Sequence, residues 1–122
     1  MLNLDTHILV FALVGELRAA EDRLLHAARW SVSAIVLWEL AKLVQLGRID
    51  VDLEAAAVRR AIGRVHVWPI TLEVAVASTR LDVRGDPADE LIAATSVVHH
   101  LPLLTRDRTL MASKLVPLAS RR

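Results

Sequence analysis

Short runs of consecutive apolar residues alternate along this chain with longer stretches whose apolar positions recur every three to four residues. The first kind predicts strands buried on both faces, and the second predicts helices. Leu2–Leu4 and Trp30–Ser33 read as strands, as do residues 65–70, residues 102–104 and, at an edge, residues 115–118. Residues 7–14 form a strongly apolar helix that ends at Gly15, a C-cap glycine. Residues 19–29 are amphipathic, with Leu24, Leu25 and Ala28 on one face, and residues 34–46 form a long helix closed by Gly47. Asp52 is placed to cap a helix over residues 53–62, and Thr71 to cap one containing Val74, Ala75 and Ala77. Arg84-Gly85-Asp86-Pro87 is a sharp punctuation mark. Asp86 as N-cap and Pro87 as first helical residue start a helix that runs to about His99, and Asp107 starts a short last helix.

Strands alternating with helices predict an α/β fold: a central, mostly parallel five-stranded sheet covered on both faces, a three-layer α/β/α sandwich. No repeat, linker or low-complexity stretch divides residues 1–122, so a single domain is expected. In such a sheet, ligands bind beyond the carboxyl ends of the strands, where the strand order reverses. Chemistry is therefore sought there.

Composition narrows the chemistry. Hydrophobic residues make up 54% of the chain, which excludes a disordered protein. The aromatic residues are Phe11, Trp30, Trp38 and Trp68, so the core is built from Leu, Val, Ile and Ala. The absence of cysteine removes disulfides, thiolate zinc sites and thiol nucleophiles together. Fifteen Lys and Arg against fourteen Asp and Glu give a formal charge of +1, so any polyanion must be met by local placement of charge. No apolar run reaches the ~20 residues of a membrane span. The start of the chain has no cationic segment, and Asp5 interrupts its apolar run, so a soluble, cytoplasmic protein is expected.

The acids fall at telling places. Asp5 follows the first strand, Asp107 the fourth, and Asp86 and Asp89 open the helix before the fourth. If these strands are neighbours, all emerge at one edge. Glu39 lies five residues past Ala34, within about two turns of that edge. Singly, each has a plain explanation. Asp5, Asp86 and Asp107 suit N-caps, Asp89 a capping-box-like partner, and Glu39 a pair with Lys42. Together they do not, because Glu39 is set among Ile35, Val36, Leu37, Trp38, Leu40, Ala41 and Leu43. Clustered carboxylates raise one another's pKa unless a cation neutralises them. Oxygen-only donors suit Mg²⁺ or Mn²⁺, and the chemistry that fits is metal-assisted phosphodiester hydrolysis.

These residues carry a family resemblance. Leu4-Asp5-Thr6-His7 opens it, followed by Ser33-Ala34, Trp38-Glu39-Leu40-Ala41, Leu46-Gly47-Arg48-Ile49 and Trp68-Pro69-Ile70. It is strongest from Asp86-Pro87-Ala88-Asp89 through Leu91-Ile92-Ala93-Ala94 to Leu101-Pro102-Leu103-Leu104-Thr105-Arg106-Asp107. In this order and spacing the chain resembles the VapC-type PIN-domain ribonucleases, the toxins of type II toxin–antitoxin pairs. The resemblance implies a catalytic and metal-binding quartet of Asp5, Glu39, Asp89 and Asp107, with Asp86, Thr6 and Thr105 as auxiliaries. It implies a Mg²⁺- or Mn²⁺-dependent endoribonuclease acting on structured RNA such as tRNA or rRNA, with 5′-phosphate and 3′-hydroxyl products. It also implies a second copy of the chain and a VapB-like antitoxin as partners, in a higher-order complex. The antitoxin of the family wraps an apolar groove, and the helices over residues 7–14 and 34–46 are its candidate walls.

Two residues depart from the family pattern: Glu90, where many relatives have Arg, and His100, where Gly is frequent. His100 reads as structural, since His tolerates the left-handed conformation better than most residues. Lys42, Arg48, Arg84, Arg106 and Arg108 lie near the site end and are the candidate RNA contacts. With so few aromatics, RNA shape rather than base stacking would govern selectivity. His7 reads as a supporting or surface residue, and His99-His100 as a helix end. Three rival readings are a degenerate PIN domain that binds RNA or protein without cleaving, a housekeeping PIN nuclease without antitoxin, and a DNA-directed nuclease. An aspartyl-phosphate phosphatase is disfavoured, because Asp5-Thr6-His7 lacks a second Asp two residues after the first.

Overall fold

The computed structural model describes residues 1–119. Strands β1 (Leu2–Leu4), β2 (Trp30–Ser33), β3 (His66–Trp68) and β4 (Leu103–Leu104) form one parallel sheet in the order β3-β2-β1-β4. The flanking helices are α1 (Thr6–Val14), α2 (Ala19–His26), α3 (Ala34–Gln45), α4 (Ala56–Gly63), α5 (Leu72–Ser78), α6 (Pro87–His99) and α7 (Arg108–Met111). From β1 the chain proceeds to β2 and β3 on one side, and β4 returns to the other side of β1. The strand order therefore reverses between β1 and β4. The Asp5 N–H donates to the Leu104 carbonyl at 3.0 Å, which ties the two carboxyl ends together.

The core is aliphatic, as the composition requires. Leu4, Ile8, Val32, Val36, Ile92 and Leu103 are fully buried. Burying each such side chain contributes about 1.5–3 kcal/mol. Helix α6 presents the small residues Ala93 and Ala94 to the interior, which lets its backbone approach closely. Asn3 is fully buried in β1, and its amide donates to the Ile92 carbonyl (3.1 Å) and to Ser96 Oγ (2.9 Å). These bonds fix β1 to α6, the elements that lead to Asp5 and to Asp89.

Most expected boundaries hold within a few residues, and the caps explain them. Asp86 accepts the Asp89 N–H at 2.9 Å with Pro87 at the helix start, and Thr71 accepts the Val74 N–H at 3.2 Å. Gly15 adopts φ 77° at the end of α1. Gly47, at φ 68°, closes α3 with Gly47 N–H to the Val44 carbonyl and Arg48 N–H to the Leu43 carbonyl. His100 is left-handed at φ 54°, the conformation its position demands.

Two expectations are corrected. The strand at residues 115–118 is not formed, so among the described residues the sheet has four strands rather than five. That segment makes one parallel bridge, Leu103 to Leu118. Pro117 has no N–H to extend a ladder, and Ser113 Oγ accepts from the Leu115 and Val116 N–H groups, bending the chain there. Asp52 does not cap α4. Its carboxylate accepts the Glu54 N–H at 2.9 Å in a local turn, and α4 starts after Ala55 with no side-chain cap. Among the described residues, no helix is long and apolar enough to cross a membrane.

Candidate active site

Two of the site's acids lie on segments that leave the sheet at its point of reversal, after β1 and β4. Asp5 terminates β1 and serves as N-cap of α1. Its Oδ1 accepts the Thr6 N–H at 2.8 Å and its Oδ2 accepts the Thr105 hydroxyl at 2.6 Å. The Thr105 hydroxyl in turn accepts the Asp107 N–H at 3.0 Å. One side chain thus couples the acid after β1 to the acid after β4. Asp107 caps α7, its Oδ1 accepting from Thr109 (2.8 Å) and Leu110 (3.2 Å).

The second pair of acids arrives on α3 and α6. The Thr6 hydroxyl donates to Glu39 Oε1 at 2.5 Å, which orients the carboxylate of α3 from the first residue of α1. Asp86 spends Oδ1 on the Asp89 backbone N–H, so it fixes the start of the helix that carries Asp89. Gly85 is pressed against the same residue. A Cβ there would lie 3.2 Å from Asp89 Cβ and 3.5 Å from its Oδ2. In the sequence Gly85 shows only as part of the Arg84-Gly85-Asp86-Pro87 punctuation.

Asp5, Glu39, Asp86, Asp89 and Asp107 all line one cleft of about 290 Å³, together with His7, Phe11 and Arg106. The acids strain one another electrostatically. Burial, and then the charges of Asp86, Asp5, Asp107 and Glu39, push the Asp89 carboxyl up to about 7. Burial also raises Asp5, against the pull of hydrogen bonds from Thr105 and Thr6, and raises Glu39, against the pull of Thr6. A cation would reverse each of these shifts. Among the described residues, no three His, Asp or Glu side chains are already gathered as a ligand set. The donor chemistry fits a hard divalent ion: carboxylate oxygens only, with lone pairs left over after the hydrogen bonds above.

The candidate RNA contacts separate. Arg48 lines a neighbouring groove of about 680 Å³ between α1 and α3, which shares His7, Phe11, Glu39 and Asp86 with the acidic cleft. Arg106 lines the acidic cleft, but its guanidinium is held by Glu21. Lys42 is exposed on α3, bonded to Gln45 rather than to Glu39. Arg84 is tied to the Leu81 carbonyl. Arg108 does not line the acidic cleft but a neighbouring depression beside Arg18 and Met111, which shares Arg106 with it. Glu90 sits in the first turn of α6 and does not line the cleft. His99 stacks on Trp68 at 4.0 Å between ring centroids, a packing role. Asn3 and Glu21 support the site through distant partners that no local pattern reveals, Glu21 through an arginine 85 residues away.

Comparison with known proteins gives the chain its family and fold. The PIN domain family model matches residues 3–113. Ribonuclease VapC22 of Mycobacterium tuberculosis is 33% identical over 100 residues, covering 79% of this chain and 76% of that protein. Among solved structures, VapBC2 from Rickettsia felis bound to a promoter DNA fragment superposes with a TM-score of 0.73 at 17% identity, covering 97% of each chain. A toxin–antitoxin complex from Klebsiella pneumoniae superposes with a TM-score of 0.70 at 22% identity, covering 92% of this chain and 91% of that one. At such identities these structures speak for the fold alone. The family model and the sequence relative carry the assignment: this chain belongs to the PIN-domain family, among its VapC-type members.

Proposed function

We propose that this protein is the toxin of a type II toxin–antitoxin pair, an endoribonuclease that depends on Mg²⁺ or Mn²⁺ and cleaves structured RNA, tRNA or rRNA, in the cytoplasm. The observation that carries the reading is the convergence of five carboxylates on one cleft, with Asp89 pushed up to about 7. A protein that only binds RNA gains nothing from concentrating negative charge where a phosphate must approach. Asp5, Glu39, Asp89 and Asp107 would hold the ion, which when bound lowers the pKa of water and neutralises charge on phosphoryl oxygens.

The chain's own residues supply position. Thr105 holds Asp5 and the Asp107 backbone in one arrangement, and Thr6 holds Glu39. Asp86 sets the first turn of α6 and so the approach of Asp89. Partners around metal ligands matter in this way because they fix ligand direction. Arg48, beside the cleft, is placed to meet an RNA phosphate.

The groove between α1 and α3 is the proposed seat of a VapB-like antitoxin. Val10, Phe11, Val14, Leu43 and Ile49 give it an apolar floor, and Glu39 and Asp86 close one end with negative charge. An amphipathic segment carrying a basic residue at that end suits it. The toxin–antitoxin complexes among the structural neighbours support this occupant. A second copy of the chain is the other proposed partner.

The test is the chemistry of the ends. Purified, antitoxin-free protein incubated with total tRNA and rRNA should release fragments with 5′-phosphate and 3′-hydroxyl ends in Mg²⁺ or Mn²⁺, and none in EDTA. Fragments ending in 2′,3′-cyclic phosphate, or cleavage that survives EDTA, would overturn the reading.

A further inference from the structure

The acidic cleft is lined by one arginine that could neutralise it from within. Among the described residues lining the cleft, Arg106 is the sole Lys or Arg. It lies between Thr105 and Asp107, so its backbone stands at the carboxyl end of β4, where the acids collect. A guanidinium free at that point would be drawn to the carboxylates by simple Coulomb attraction.

It is not free. Arg106 Nε donates to Glu21 Oε2 at 2.8 Å and Nη2 donates to Glu21 Oε1 at 2.7 Å, a fork-to-fork pair. Nη2 also donates to the Glu16 carbonyl at 3.2 Å, and the guanidinium lies 3.8 Å above the centre of the Phe11 ring. Glu21 is itself anchored. It is 7% exposed, and its Oε1 accepts the Arg18 backbone N–H at 2.8 Å, closing the first turn of α2. Helix α2 contributes no acid to the cleft. Its one buried carboxylate is spent on this arginine, which lines both the acidic cleft and a neighbouring depression that Glu21 also lines.

We propose that Glu21 is a positioning residue that holds Arg106 to α2, so that the arginine does not occupy the space among Asp5, Glu39, Asp89 and Asp107 in place of a divalent cation. This rests on the metal-dependent reading above. Without Glu21, Arg106 becomes an internal competitor for the ion. A pair serving stability alone makes a different forecast: both partners would matter equally, and neither would change ion affinity.

The experiment is a Mn²⁺ titration, followed by electron paramagnetic resonance of the unbound ion, on the full-length wild type and on Glu21→Gln, Arg106→Gln and the double variant. Thermal melts run beside it as a check on folding. Glu21→Gln should weaken Mn²⁺ binding by roughly 10- to 100-fold, the usual scale for a residue supporting a metal site. Arg106→Gln and the double variant should bind within about twofold of wild type, since both lack the competing cation. Wild-type affinity in Glu21→Gln, or a double variant as weak as Glu21→Gln, would overturn the proposal. If Glu21→Gln does not fold, Glu21→Asp takes its place. It keeps the charge but loses the reach, and should weaken binding at least threefold where Arg106→Gln does not; equal affinity in the two would overturn the proposal. Failure of the wild type itself to bind Mn²⁺ would instead refute the metal-dependent reading, and this inference with it.

Discussion

Thr105 and Asp5 stand 100 residues apart in the chain, yet the Thr105 hydroxyl donates to Asp5 Oδ2 at 2.6 Å while accepting the Asp107 N–H. A single hydroxyl therefore sets the relation between the acids that follow β1 and β4. Thr105→Val keeps the shape and removes both bonds. It should lower RNA cleavage by about 10- to 100-fold while leaving the fold intact, and Thr105→Ser should restore most of the activity. Single-turnover cleavage of the same RNA by the three proteins checks this.

Asp89 is held by its surroundings in a state that costs stability. Removing its charge relieves the cost of burying it and then the repulsion from Asp86, Asp5, Asp107 and Glu39. Asp89→Asn should raise the Tm of the metal-free protein at pH 7.5 by about 3–6 °C, which is what ~1 kcal/mol produces in a domain of this size. The same variant should have no cleavage activity. A lower Tm would contradict the assignment of Asp89 to a repulsive cluster.

The sign of the pH dependence follows from the same shift. The folded Asp89 takes up its proton near pH 7, against 3.8 for the ordinary carboxyl. Between these values the native state binds a proton that the unfolded chain does not. The metal-free protein should thus gain stability as pH falls from 7 towards 4, and Asp5 and Glu39, also raised, act in the same direction. Ion binding runs the opposite way, because the proton competes for the carboxylate. Mn²⁺ affinity should fall by up to about tenfold for each unit below pH 7, read by titration at pH 5.5, 6.5 and 7.5. A flat profile would contradict the account.

Asp107 has two duties that substitution can separate. Its Oδ1 caps α7 through Thr109 and Leu110. Asn keeps the cap and Ala does not, so Asp107→Ala should lose about 1 kcal/mol of stability relative to Asp107→Asn. Both should lose cleavage alike. Paired urea melts and cleavage assays distinguish the cap from the chemistry.

Arg48 offers a test of the RNA surface. Arg48→Ala should weaken RNA binding in EDTA and lower the slope of log K against log salt by about one, as loss of one phosphate contact does. Arg108→Ala, in a depression that contains none of the clustered acids, should change neither by as much.

Asp5, Asp86, Asp89 and Asp107 are legible in the sequence because they sit where helices begin. Asp86 before Pro87, and Asp107 before α7, are local signals that need no tertiary knowledge. Glu39 is legible for a different reason, as the one acid on a largely apolar helix. The fifth strand misled because residues 115–118 are apolar, while Pro117 and the Ser113 turn, not hydropathy, decide their backbone. Asp52 misled because an acid before a helix can just as well close a turn of its own. The links between acids were not legible at all. Thr6 to Glu39, Thr105 to Asp5 and Arg106 to Glu21 join residues brought together only by the sheet.

If the carboxylate cluster makes this protein a metal-dependent ribonuclease, cleavage needs both the ion and Asp89. The decisive measurement runs wild type and Asp89→Asn side by side, purified identically and free of antitoxin, on total tRNA and rRNA with Mg²⁺, Mn²⁺ or EDTA. Discrete products are expected from the wild type alone, in either metal and not in EDTA. Equal cleavage by both proteins would assign the activity to a contaminant. No cleavage and no Mn²⁺ binding by a folded wild type would contradict the account and leave a PIN domain that binds without cutting.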